Sequence, residues 1–127
     1  MTAVVFDASA LLALLNEEPG GDRAAAALSG ASINAVNLSE VLGHLLRRGV
    51  PGEAGVEAIL SLGLDVVPFD RDLAVDTAEL ERGVRQFGLS LGDRACLATA
   101  RRLRQPAITA DRAWLRLNIG VRVMAIR

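Results

Sequence analysis

The sequence predicts an α/β fold, a parallel sheet with helices on both faces, and three observations carry that expectation. Short apolar runs rich in β-branched residues alternate with stretches of helical periodicity along the whole chain, the order that makes strands pair in parallel. No linker, internal repeat or low-complexity tract interrupts the 127 residues. One domain spanning residues 1–127 is therefore expected, with enough chain to bury a core. The first strand, Val4-Val5-Phe6, is apolar throughout and ends in Asp7. A carboxylate at the carboxyl end of a central strand stands where open α/β sheets place their ligands.

The elements follow in order. Ala10 to Asn16 form the first helix, which Pro19-Gly20-Gly21 breaks. Asp22 can cap a second short helix through Leu28, and Ser29-Gly30 ends it. Ser32 to Val36 is the second strand. Leu38, Val41, Leu42, Leu45 and Leu46 then recur at helical spacing, and Arg47-Arg48-Gly49 closes that helix with two cations and a glycine. Pro51 opens a further helix at its first position. Val56, Ile59 and Leu60 form its apolar face, and Gly63 ends it. Leu64 to Phe69 is the third strand, and Pro68 puts it near a sheet edge. Asp70 can cap a long helix with Leu73, Thr77, Leu80 and Val84 on one face. Phe87 to Gly92 is a loop. The helix from Asp93 to Arg104 carries Ala95, Cys96, Thr99, Ala100 and Leu103 inward, and Pro106 stops it. Ala107-Ile108-Thr109 is a strand, Ala110-Asp111 a turn, Arg112 to Leu117 a short helix with Trp114, and Val121 to Ile126 the last strand.

Composition removes whole classes of chemistry. A net charge of -1 leaves neither an acidic tail nor a basic nucleic-acid arm. The one cysteine, Cys96, excludes an internal disulfide and a cysteine-based zinc site, and fits a reduced, cytoplasmic compartment. Asp7 interrupts the N-terminal apolar run, which argues against a signal peptide, and no apolar run reaches membrane-spanning length. One His, no Tyr and no Lys exclude a two-histidine ribonuclease, a Schiff-base enzyme and a P-loop NTPase. Acids without partner bases point to metal ions held by carboxylates.

Each acid has an ordinary reading. Asp7 can cap the first helix, although Ser9 could do so instead. Asn37-x-x-Glu40 has capping-box spacing, as does Ser90-x-x-Asp93, and Asp111 can cap the helix that begins at Arg112. The joint pattern is less ordinary. Asp7, Glu40 and Asp111 each follow an expected strand, and Asp93 opens a helix, so all four belong at one edge of a parallel sheet. Carboxylates gathered there repel one another unless cations sit between them. Mg²⁺ or Mn²⁺ is the natural counter-ion.

Four segments together resemble the PIN-domain nucleases, and in particular the small VapC-type toxins of bacterial toxin–antitoxin pairs. They are Val5-Phe6-Asp7-Ala8-Ser9-Ala10-Leu11-Leu12, Asn37-Leu38-Ser39-Glu40-Val41, Leu89-Ser90-Leu91-Gly92-Asp93-Arg94-Ala95-Cys96-Leu97-Ala98, and Ile108-Thr109-Ala110-Asp111. The resemblance implies a three-layer α/β/α sandwich with a central parallel sheet. It also implies a Mg²⁺- or Mn²⁺-dependent ribonuclease site at Asp7, Glu40, Asp93 and Asp111, with Asp7 and Asp93 as direct ligands. Ser9 and Thr109 match small hydroxyl positions that orient a ligand or water. Ala110 replaces the usual Asn of the Thr-x-Asp piece. A homodimer, an antitoxin partner and a structured RNA substrate such as tRNA are further implications.

Arg94 and Arg112 directly follow two of these acids and are the best candidates for substrate phosphate contacts. His44 is read as a helix-surface or interface residue and Trp114 as a packing residue. The expected activity is metal-dependent hydrolysis of RNA phosphodiester bonds. Two rivals remain open: a Mg²⁺-dependent phosphoryl hydrolase with Asp7 as nucleophile, and a binding module whose acids merely cap helices.

Overall fold

The computed structural model describes residues 2–127. Its centre is a five-stranded, all-parallel sheet in the order β3-β2-β1-β4-β5. The strands are β1 (Val5–Phe6), β2 (Ser32–Asn34), β3 (Asp65–Val67), β4 (Ala107–Thr109) and β5 (Val123–Ala125). Val5 lies opposite Ser32 and Ala107, and Phe6 opposite Ile33 and Ile108. The central position of β1 explains its composition, since a strand covered on both faces has no use for a polar side chain.

Six helices cover the sheet: α1 (Ala8–Leu15), α2 (Gly21–Ala26), α3 (Ala35–Arg47), α4 (Gly52–Leu60), α5 (Arg71–Val84) and α6 (Leu91–Leu103). They divide between two cores. Val4 and Phe6 point into one with Leu11, Ala24, Val41 and Ile59 from α1 to α4. Val5 points into the other with Leu73 and Leu80 of α5, Cys96 and Leu97 of α6, and Trp114. The alternation along β1 thus separates two helical layers, and the expected three-layer α/β/α sandwich is what the chain forms. Between β4 and β5 the expected short helix is a 3₁₀ turn, Arg112–Arg116. It seats Trp114 in the second core at 1% exposure, so this tryptophan packs and presents no stacking surface.

Helix α6 is buried further around its circumference than one apolar stripe would allow. Ala95 to Ala100 are all buried, because α6 packs against the sheet, α3 and α5 together. Leu97 and Ala98 therefore join the inward face, while Leu103, expected inside, is 37% exposed in the last turn.

Several element boundaries differ from the expected ones, and the open choice of cap for α1 is settled. Strand β2 stops at Asn34 rather than Val36, and Asn34 caps α3 by accepting from the Val36 amide at 2.8 Å. Asn37 and Glu40 therefore lie inside α3 and form no capping box. Helix α2 begins at Gly21 after a left-handed Gly20, with Asp22 in its first turn and no side-chain cap. Asp7, not Ser9, caps α1. The chain works outward from β1 to β2 and β3, then crosses back to β4 and β5. That reversal leaves a topological switch point between the ends of β1 and β4.

Candidate metal centre

Asp7 stands at this switch point. Its backbone is extended (φ -86°, ψ 173°), and its Oδ1 accepts from the Ala10 amide at 2.8 Å as the N-cap of α1. The Ser9 hydroxyl donates to the same carboxylate, 2.8 Å from Oδ1 and 2.9 Å from Oδ2. Thr109, at the end of β4, donates to Oδ2. Ser9 in turn accepts from the Ala110 amide, and Thr109 from the Asp111 amide. The ends of β1 and β4 are thereby laced together by two hydroxyls around one acid. The family resemblance singled out both hydroxyls as orienting a ligand or water; in the structure both bond to the Asp7 carboxylate.

The environment of Asp7 opposes its charge. It is only 4% exposed. Burial raises its pKa to about 6 against the hydrogen bonds from Thr109, Ala10 and Ser9, and the negative charge of Asp93 raises it further. Among the described residues no Arg forms an ion pair with Asp7, Glu40, Asp93 or Asp111; the four ion pairs lie at Glu79, Asp70, Asp76 and Glu18.

Asp93 occupies the first turn of α6 in a complete capping box. The Ser90 hydroxyl accepts from the Asp93 amide, and Asp93 Oδ2 accepts from the Ser90 amide, both at 3.1 Å. The second Asp93 oxygen has no protein donor among the described residues. Capping and site membership are therefore compatible, because a carboxylate has two oxygens.

Glu40 is delivered from α3 by contacts that the sequence did not reveal. Asn37, 1% exposed, donates its Nδ2 to Glu40 Oε1 at 3.1 Å and to the Gly92 carbonyl at 2.9 Å. Both neighbours are acceptors, so the amide nitrogen must face them, and Asn37 Oδ1 is left buried without a donor. A Cβ at Gly92 would overlap the Glu40 carboxylate. The absent side chain is what lets α3 and α6 approach there. Asn34 adds a second tie, donating to Thr99 Oγ1 at 2.9 Å.

Three of the acids share one neighbourhood. The Cys96 thiol, on the floor of α6, has its pKa raised first by burial and then by the charges of Asp7, Asp93 and Glu40. Asp7 is buried, Asp93 half-buried and Glu40 exposed, so together they grade from floor to rim. Asp111 is exposed at the end of β4. It accepts from the Ala113 amide at 3.0 Å and caps the 3₁₀ turn, joined to the centre through Thr109. The two arginines hold backbone carbonyls, Arg94 that of Thr77 and Arg112 that of Arg127. His44 lies half-buried on α3 with its Nε2 unpartnered.

The donor set suits a hard divalent cation. It offers carboxylate and hydroxyl oxygens with no soft ligand exposed, and one acid is buried without neutralisation. Among the described residues no three His, Cys, Asp or Glu side chains approach closely enough to form a ready-made cage. Mg²⁺ does not need one, since it keeps several waters and binds through one or two carboxylates.

No curated protein sequence matches the chain. Among solved structures, it is similar to the DNA-bound VapBC complex from Salmonella typhimurium, at 19% identity over 100% of both chains and a TM-score of 0.76. A toxin–antitoxin complex from Klebsiella pneumoniae matches at 19% identity over 98% of each chain, with a TM-score of 0.73. VapBC-5 from Mycobacterium tuberculosis matches at 22% identity over 98% of this chain and 99% of that one, with a TM-score of 0.63. These likenesses describe a shared fold. The PIN domain model matches residues 4–119, a span that takes in all four site segments from Asp7 to Asp111, and on that match the chain belongs to the PIN domain family.

Proposed function

We propose that this chain is a divalent-metal-dependent endoribonuclease, the toxin of a toxin–antitoxin pair, acting on structured RNA such as tRNA. The observation that carries the reading is Asp7. It is a buried, hydroxyl-oriented carboxylate at the switch point, next to Asp93 and within the same neighbourhood as Glu40, and among the described residues no cation pairs with it. A fold that only needed a helix cap would gain nothing from burying it this way.

In this reading Asp7 and Asp93 hold Mg²⁺ or Mn²⁺, and Glu40 positions the ion or a water. Asp111 completes the acidic rim. When bound, the ion supplies charge stabilisation at the scissile phosphate. Ser9 and Thr109 fix the orientation of the Asp7 carboxylate before substrate arrives. This pattern also disfavours Asp7 as a nucleophile, because both of its oxygens already accept hydrogen bonds. Arg94 and Arg112 would contact phosphate through the guanidinium nitrogens that their carbonyl bonds leave free.

An antitoxin partner, a homodimer and a cytoplasmic location belong to the same proposal. The VapBC and toxin–antitoxin neighbours support the partner, and no described helix is long and apolar enough to cross a membrane. The test is Mg²⁺- or Mn²⁺-dependent cleavage of end-labelled tRNA. Activity should vanish in EDTA and fall steeply in folded Asp7→Asn and Asp93→Asn variants. Equal activity in either variant would remove the site from the mechanism.

A further inference from the structure

A groove of about 630 Å³ is lined by Ser39, Glu40, Gly43, Arg47 and Phe69 among others. Glu40 is the one acid of the candidate centre on its lining. Ser39, Glu40, Gly43 and Arg47 run along α3 at spacings of one, three and four residues, which puts them on one side of the helix. Gly43 leaves that side bare, and the Arg47 guanidinium lies over it, 3.7 Å from where a Cβ would stand. Arg47 has no ion-pair partner among the described residues, whereas Arg102 across the sheet has two. Phe69 also lines the groove; its side chain packs on the second core yet remains half-exposed.

We propose that this groove is a subsite for an unpaired nucleotide of the RNA strand next to the scissile phosphate, with its base on Phe69 and a flanking phosphate on Arg47. The inference rests on the nuclease reading above and gives it a strand path. The chemistry is that of single-strand recognition: an aromatic face accepts any base, and a guanidinium tracks the backbone. The volume is enough for a nucleotide. The groove is consistent with the balanced net charge of -1. One placed cation beside the acids can guide a phosphate where a diffuse basic surface is lacking. The bland alternative is that Arg47 merely complements the C-terminal end of α3, and Arg48 would serve that purpose equally.

The test uses the full chain and a fluorescein-labelled single-stranded RNA octamer, read by anisotropy in EDTA so that no cleavage occurs. Arg48→Gln is the control for charge at the same helix end. Phe69→Leu keeps the packing and removes the ring, which guards against a folding defect. Arg47→Gln and Phe69→Leu should each weaken binding about 5- to 20-fold, as loss of one stacked base or one phosphate contact does. Arg47→Gln should also reduce the salt slope by about one, and Arg48→Gln should stay within about twofold. With Mn²⁺ and cleavable RNA, the same two variants should raise KM and spare kcat. Equal losses in Arg47→Gln and Arg48→Gln, an unaffected Phe69→Leu, or a wild type that does not bind the octamer would each overturn the subsite. Selective binding without any metal-dependent cleavage would keep nucleotide binding in the groove but sink the nuclease reading, and with it the placement next to a scissile phosphate. Equal effects on a DNA octamer would leave single-strand recognition standing and remove the choice of RNA.

Discussion

The chain makes the same local structure twice and uses it differently. Val4-Val5-Phe6-Asp7 leads from β1 into α1, and Val66-Val67-Pro68-Phe69-Asp70 leads from β3 into α5. Both aspartates are N-caps, and each accepts from the amide three residues on, Ala10 or Leu73, at 2.8 Å. Their surroundings differ. Asp7 ends the central strand and is buried against hydroxyls with an acid nearby, so its pKa rises to about 6. Asp70 follows the edge strand in solvent; the Leu73 cap bond lowers its pKa, and Arg102 at 3.4 Å lowers it further. A strand–Asp–helix junction is thus a building piece. Withholding solvent and counter-charge is what turns one copy into a candidate site.

The widest separation between the two should appear in catalysis. Asp7→Asn is expected to reduce tRNA cleavage by roughly 10²–10³-fold, the scale set by removing one electrostatic group from a reacting centre. Asp70→Asn should stay within about twofold in the same assay. Comparable losses in both would erase the distinction.

Next in size is the pH dependence of stability in EDTA, where the two acids have opposite signs. The folded pKa of Asp7 lies above its unfolded value of 3.8, so the folded protein holds the proton more tightly. Its contribution is most favourable below pH 4 and declines as pH rises from about 4 to about 6. The decline is on the order of 3 kcal/mol, from two units of displacement. Asp70 behaves inversely: its contribution is full above its unfolded value and is lost as pH falls through the lowered folded one. Urea midpoints followed from pH 2 to 8 should show Asp7→Asn flattening the slope between about 4 and about 6, and Asp70→Asn flattening the opposite slope below 3.8.

A smaller effect probes how Glu40 reaches the same neighbourhood. Gly92→Ala should cost about 1–3 kcal/mol in urea unfolding, because its Cβ would displace the Glu40 carboxylate. Asn37→Ala should weaken Mn²⁺ binding by calorimetry about tenfold, in line with other partners that orient a metal's ligands. Little change in either would make the α3–α6 contact incidental to the acids. Least of all, Arg102→Gln should leave the urea midpoint unmoved within error, since exposed ion pairs contribute little.

The sequence made the architecture legible because strand and helix periods are local. It made Asp7 and the Ser90–Asp93 capping box legible because strand ends and caps are local too. Glu40 was harder. Asn37-x-x-Glu40 has the spacing of a cap, but the strand stops early at Asn34, and Asn34 takes the capping role. Nothing in the alternation of Ser32 to Val36 marks that boundary. The real partner of Asn37 is the Gly92 carbonyl, 55 residues away, which no window of neighbours can reveal. The surroundings of the arginines were illegible for a related reason. Arg94 follows Asp93 in sequence, yet one helical step turns its guanidinium to the Thr77 carbonyl on α5.

Cys96 has a use that follows from where it lies. It is the chain's only cysteine, fully buried in α6 beneath three carboxylates. A thiol-reactive reagent can reach it only while α6 is lifted from the sheet, so its labelling rate is a built-in clock for that opening. A divalent ion bridging Asp7 on the β1–α1 junction to Asp93 on α6 would fasten the moving part to the fixed one. The clock should then slow as the ion is added, which reports the centre's occupancy without any substrate present.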